Sequence, residues 1–300
     1  METNLLALSQ ELEQAVHRAA AFVVAVHGRR RMSSSGFLWR DGVVVTSEHA
    51  IQRDEDIRVT LADGRTVEAT LAGRDPGTDI AVLRVTGGAP ASVAAAAGPL
   101  KPGRLVLSLG RSRDSGVNAS MGILSAVSGA WRSWRGGALD GYLRLDLTLF
   151  PASTGGPVLT TAGEFVGVAS PVLSRIAPLA IPASTVERVA SDLLAKGRVA
   201  RGYLGVGLQP VPLPEHLKQN LGYEAKSAVI VLSVETESPA ERAGILIGDV
   251  LLSMGGKPLR DVDDLQSALE TTAIGQQITV KLVRGGKASE LQVTVGERGA

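Results

Sequence analysis

Three residues, far apart along this 300-residue chain, have the types that hydroxyl-based acyl transfer requires. His49 closes the run Val44-Val45-Thr46-Ser47-Glu48-His49. Asp79 lies 30 residues on, at the start of the apolar run Ile80-Ala81-Val82-Leu83. A further 75 residues on comes Phe150-Pro151-Ala152-Ser153-Thr154-Gly155-Gly156-Pro157. A hydroxyl can attack a peptide carbonyl when an imidazole takes its proton and a buried carboxylate orients that imidazole. Backbone N–H groups must then receive the oxyanion.

Other chemistries are poorly provided for. There is no cysteine, which removes disulfides and thiolate sites, and four histidines without an HExxH motif argue against a zinc hydrolase. No metal or organic cofactor is expected. The net charge is +1, which gives a nucleic-acid partner no global support. The cluster Arg29-Arg30-Arg31 is read as a solvated loop, and His17, His27 and His216 as surface residues. The longest early apolar run, 19–26, is far short of the ~20 residues that span a bilayer. The chain starts without a basic segment followed by an apolar stretch, so a cytoplasmic protein is expected as written, or a periplasmic one if the natural N-terminus lies upstream.

The elements that must position these residues are mostly short strands. Residues 4–20 carry apolar side chains at helical spacing (Leu5, Leu8, Leu12, Ala15, Val16, Ala19), which predicts an amphipathic N-terminal helix. Two groups of β-type runs follow: 23–26, 36–39, 43–46, 57–61, 66–72 and 80–85, then 104–109, 119–127, 142–147, 158–160 and 164–169. A connector rich in Ala, Gly and Pro, 87–102, separates them. Two β-barrels or one large sandwich would produce this pattern. Ser184 and Glu187 read as the capping box of a helix that Gly197 ends. The basic stretch 196–202 reads as a linker. Beyond it, a module of mixed strands and helices closes with a hairpin around Gly285-Gly286.

On these segments the chain resembles the HtrA/Deg family of trypsin-like proteases with a C-terminal PDZ domain. The resemblance runs through Gly36-Phe37, the strand end at His49, Thr78-Asp79-Ile80-Ala81-Val82-Leu83, Thr154-Gly155-Gly156-Pro157, Ala180-Ile181-Pro182, Arg201-Gly202-Tyr203-Leu204-Gly205-Val206 and Ser238-Pro239-Ala240-Glu241. It implies a mostly β fold: an N-terminal helical segment (1–22), a trypsin-like double β-barrel (23–195), a linker (196–202) and an α+β PDZ domain (203–298). By that resemblance His49, Asp79 and Thr154 hold the catalytic positions, and the N–H groups of Ala152 and Thr154 the oxyanion hole. Tyr203, Leu204, Gly205 and Val206 correspond to the carboxylate-binding loop of the peptide groove, with Leu265 and Leu269 lining its side-chain pocket. Partners implied are unfolded polypeptide or protein C-termini, in a homo-oligomer that the family resemblance makes a trimer.

The departures carry as much information. The family's nucleophile segment reads G-N-S-G-G-P, whereas Thr154 and Ala152 stand here for the serine and the first glycine; Ser153 is one position early. A threonine methyl crowds the scissile carbonyl at a cost of roughly 1–3 kcal/mol, about 5- to 150-fold in rate. A misdirected oxyanion donor costs on the order of 10²–10³. The segment 169–180, in the place of the family's pocket-forming loop, is short. Two functions stay open: a peptide-binding homologue with weak or lost proteolysis, and an endopeptidase using Thr154, His49 and Asp79. A purely structural oligomer subunit is a third.

Overall fold

The computed structural model describes residues 2–29, 32–87, 95–112 and 116–297. Arg30 and Arg31 of the basic cluster, and residues 88–94 of the connector, lie outside them. Two compact units divide the chain, Met1–Val199 and Ala200–Ala300.

In the first unit, α1 (Glu2–Ala20) buries Ala15 and Ala19 against the core, with Leu12 and Val16 beside them. Its C-terminal end is held from a distance in sequence: the Arg111 guanidinium donates to Ala20 O (2.7 Å) and Val23 O (2.6 Å). A cation there complements the negative end of the helix dipole.

Six strands then close the first barrel: β1 (Val23–His27), β2 (Ser34–Arg40), β3 (Val43–Ser47), β4 (Ile57–Thr60), β5 (Thr66–Asp75) and β6 (Ile80–Val85), in the order β1-β2-β3-β6-β5-β4. Continuous valine and leucine runs fill it because strands such as β3 and β6 are buried on both faces. The second barrel uses β7 (Leu105–Ser112) and β8 (Gly116–Ser128). After a small hairpin of β9 (Trp131–Arg132) and β10 (Ala138–Leu139) come β11 (Tyr142–Asp146), β12 (Pro157–Thr160), β13 (Phe165–Ser170) and β14 (Leu179–Pro182). The closed order is β11-β14-β13-β12-β7-β8. Of the two expected architectures, the two-barrel one is formed. The β9–β10 hairpin and β14 were not among the expected strands.

Helix α2 (Ala183–Lys196) buries Val186, Val189, Ala190 and Leu193 at i, i+3, i+4, i+7 spacing. Gly197 ends it in the left-handed region (φ 74°), as expected. The expected capping box at its start is absent. Pro182 occupies the cap, and Glu187 pairs instead with Arg40 of β2 at 2.5 Å. The helix begins at Ala183, so Ser184 lies inside it rather than at its cap, and Glu187 is past the first turn. His27 also departs from expectation: it is half-buried, its Nε2 2.8 Å from Thr60 Oγ1.

The second unit is an α+β module with β15 (Gly202–Tyr203), β16 (Val206–Pro212), α3 (Glu215–Leu221), β17 (Ser227–Val234), α4 (Pro239–Arg242), β18 (Val250–Met254), β19 (Lys257–Pro258), α5 (Val262–Thr271), β20 (Gln277–Arg284), β21 (Lys287–Thr294) and β22 (Gly296–Glu297). Its sheet runs β16-β17-β18-β20-β21, with β19 beside β18, and β15 pairs with β22. Ser238 caps α4, its hydroxyl accepting from Glu241 N at 3.2 Å. No helix among the described residues is long and apolar enough to cross a membrane.

Candidate active site and peptide groove

The first barrel supplies the acid–base half of the site. Strand β3 ends at Ser47, and a single 3-10 turn, Glu48–Ala50, presents His49. Asp79 is fully buried and sits in the left-handed region (φ 60°), a conformation that Asp tolerates better than most residues. The turn before it is built by Asp75, whose carboxylate accepts from Gly77 N, Thr78 N and Thr78 Oγ1.

Asp79 in turn accepts from His49 Nδ1 (2.8 Å) and His49 N (3.0 Å) on one oxygen, and from Ser170 Oγ (2.5 Å) on the other. A carboxylate oxygen accepts, so Nδ1 carries the hydrogen of this bond. Ser170, at the end of β13, was not singled out from the sequence. The available signal was chemical: a buried aspartate needs donors for both oxygens.

Around this pair the hairpin tip 133–137 closes over the Asp79 turn. Ser133 Oγ donates to Gly77 O (2.6 Å), and a Cβ on Gly137 would lie 2.1 Å from the Gly77 backbone, so only glycine fits. The tip lays Trp134 Nε1 on Val172 O (3.3 Å) and brings Arg135 to 3.7 Å from Glu48. Burial, and then the Asp79 charge, push the Glu48 carboxyl above its usual range, opposed by Arg74, Arg135 and His49.

The second barrel supplies the nucleophile half, in a different condition. Pro151–Ser153 form a 3-10 turn in which Ser153 N donates to Phe150 O (2.8 Å) and Thr154 N to Pro151 O (3.4 Å). The Thr154 N–H is therefore directed into the turn. Ala152 lies within it, and its carbonyl accepts from the buried Ser35 hydroxyl at 2.5 Å. Ser35 N also donates to Thr154 O (2.9 Å), so one residue of β2 holds the carbonyls of both Ala152 and Thr154. Ser35 was missed in the sequence, where it is one of three consecutive serines.

Thr154 is 4% exposed, and among the described residues its hydroxyl forms no hydrogen bond with His49. Ser153 is turned inward: a Cβ on Gly110 would come within 2.6 Å of it. Gly155 (φ 81°) presses against Ser35 O and Ser47 N, and Gly156 against Leu109 O, where a Cβ would lie at 1.9 Å. Leu173, in the short segment 169–180, is buried in the core.

The second unit brings together the residues expected to form a groove. Gly205 takes φ 80° between Leu204 and Val206, and the Tyr203 hydroxyl donates to Glu235. Leu204, Leu265 and Leu269 are buried in one apolar cluster, the latter two one turn apart on α5. Buried Asp249 ties the unit together through two bonds from Arg284 (2.8 and 2.7 Å). Burial opposes its charge, but the bonds from Arg284 and Leu246 N outweigh that and hold its carboxyl below the usual range.

Comparison with known proteins agrees with this architecture. Residues 34–168 match the trypsin-like peptidase domain, and residues 202–295 the PDZ domain. A probable periplasmic serine endoprotease, DegP-like, of Brucella suis is 32% identical over 278 residues, 90% of this chain and 53% of that protein. The chain thus spans about half the length of the curated relatives it matches. Among solved structures, the serine endoprotease from Yersinia pestis superposes with a TM-score of 0.76 at 29% identity, covering 95% of this chain and 97% of that one. The HtrA-type protease AlgW with a decapeptide gives 0.78 at 26%, covering 96% and 99%. AlgW with a tripeptide gives 0.74 at 29%, covering 96% and 98%.

These relatives overturn the expectation of a cytoplasmic protein. Matched curated proteins from Brucella, Ectopseudomonas and Pseudomonas are named periplasmic, which points to the periplasm. The expectation rested on the residues at which the sequence starts, and those report the presence of a leader, not the place where a folded chain works.

Proposed function

The chain belongs to the HtrA/DegP group of trypsin-like peptidase homologues that carry a PDZ domain, and from that premise we propose that it is a periplasmic peptide-binding member whose cleavage is weak or lost. The observation that carries this reading is the engagement of the Thr154 N–H with Pro151 O, in a turn that also contains Ala152. Oxyanion stabilisation needs preorganised donors pointing at the developing charge. Here one donor is turned into its own loop, and the other belongs to an alanine within that loop. Threonine adds a methyl group on the attacking residue and stiffens χ1.

Binding falls to the second unit. A peptide carboxylate would be received by the N–H groups of Tyr203–Val206, and the peptide would add as a strand beside β16. The partners in this reading are unfolded polypeptide and protein C-termini, taken up by a homo-oligomer of such subunits. AlgW, a neighbour in structure, has been solved with a tripeptide and with a decapeptide, which supports a peptide ligand here.

A second reading is favoured by the intact acid–base half. In it His49 Nε2 takes the Thr154 hydroxyl proton as the oxygen attacks a peptide carbonyl, then returns that proton to the leaving amine, while Asp79 stabilises the imidazolium. Cleavage of an unfolded protein by the wild type, Thr154→Ser and His49→Ala decides between the two. No cleavage by the wild type supports the binding protein. Wild-type cleavage that disappears in His49→Ala establishes the threonine peptidase.

A further inference from the structure

Strand β16 is an edge of the second unit's sheet: β17 lies on one side, and among the described residues no strand lies on the other. Which of its residues face outward follows from the hydrogen bonds at its two ends. Gly205 O accepts from Glu235 N (2.9 Å), and Leu213 N donates to Lys226 O (3.2 Å). Backbone groups alternate sides along a strand. The register irregularity between Gly207 and Leu208 skips Leu232 on β17, so the alternation along β16 itself is unbroken.

Odd-numbered residues 205 to 213 therefore face β17, and Val206, Leu208, Pro210 and Pro212 face the open edge. Proline has no N–H and is tolerated in a strand where its nitrogen faces away from the ladder, which fits this assignment. The open edge then offers only two donors, Val206 and Leu208, both at the end next to Gly205. Beyond Leu208 every outward residue is a proline.

Resting on the peptide-groove reading above, we infer that the groove reads only about the last three residues of a polypeptide C-terminus. An antiparallel ligand places its carboxylate at Tyr203–Val206 and runs back along β16, pairing as far as Leu208. At Pro210 it meets a ring and no donor, and its upstream residues leave the edge. The buried leucines Leu204, Leu265 and Leu269 at the paired end make an apolar C-terminal residue the preferred one. The two prolines of the edge thus set the length limit, and ligand residues upstream of the last three add little to affinity.

The test is a nested series of labelled peptides sharing one apolar C-terminus, three, five and ten residues long, titrated into the full chain by fluorescence anisotropy. Wild-type affinities are expected to agree within about twofold across the series, and amidation of the C-terminus to weaken all of them at least tenfold. Pro210→Thr with Pro212→Thr is expected to leave the tripeptide unchanged and to tighten the ten-residue peptide about fivefold or more, because each new ladder donor adds a modest net gain. A wild-type affinity that climbs tenfold or more from three to ten residues overturns the length limit while leaving the groove in place. Failure of every peptide to bind both wild type and variant overturns the groove reading itself.

Discussion

The two halves of the candidate site stand in opposite conditions. On the first barrel, His49 and Asp79 are joined through a buried carboxylate, whose other oxygen accepts from Ser170 of the second barrel. On the second, the nucleophile loop is equally well ordered, but its order is directed inward: Ser153 N, Thr154 N and the Ala152 carbonyl all have partners within the protein. Order alone is therefore not readiness. A catalytic group is useful when its capacity is left unsatisfied toward the substrate. Among the described residues Nε2 of His49 has no hydrogen-bond partner, whereas the N–H of Thr154 has one in Pro151 O.

The largest effect should come from repairing the second half while leaving the first untouched. Ala152→Gly with Thr154→Ser is expected to raise cleavage of an unfolded protein about 10³-fold or more, with His49→Ala returning the double variant to background. No gain would show that the first half is not ready either. Thr154→Ser alone removes only the methyl and should give about 5- to 150-fold in the same assay. A gain equal to that of the double variant would mean that the turn at Ala152 opens unaided.

Smaller effects report on the struts. Ser170→Ala strips a donor from buried Asp79, and Ser35→Ala one from the Ala152 carbonyl. Each should lower stability in urea unfolding by about 1–3 kcal/mol. If Ser35→Ala also raises cleavage in the Thr154→Ser background, the inward order of the second half is what restrains it.

The second unit provides a control outside both halves. The folded Asp249 carboxyl titrates below its unfolded value near 4. Its contribution is therefore complete above about pH 4 and disappears as the pH falls through the folded value. Asp249→Asn should flatten that acid limb in pH-dependent melting. Smallest of all, Glu187→Ala, which breaks a half-exposed pair with Arg40, should change stability by no more than about 0.5 kcal/mol.

The sequence made much of this legible. The strand runs, the Gly285-Gly286 hairpin and the Gly197 stop are local signals, and the structure carries them out locally. The pairing of His49 with Asp79 could be anticipated from the order of the motifs that carry them. Ser170 and Ser35 could not, since a serine's importance here comes from what lies opposite it, 91 residues away for Ser170 and 117 for Ser35. The Ser184 box failed for a different reason: the helix starts at Ala183 with Pro182 as its cap, so Ser184 falls inside the first turn, and Glu187 pairs with Arg40. The edge of β16 was hidden as well: Pro210 and Pro212 discourage a strand until the pairing partner is known.

The glycine pair after Thr154 has a consequence for how the molecule is made. Gly155 and Gly156 fit against backbone from β2, β3 and β7, where no side chain could be interposed. These contacts join segments more than 100 residues apart for β2 and β3, so they cannot form until both barrels have largely closed on each other. Contacts of such sequence separation form slowly. The nucleophile loop is thus a late arrival in folding, and protection of its amides in pulse-labelled hydrogen exchange should mark the final consolidation of the first unit.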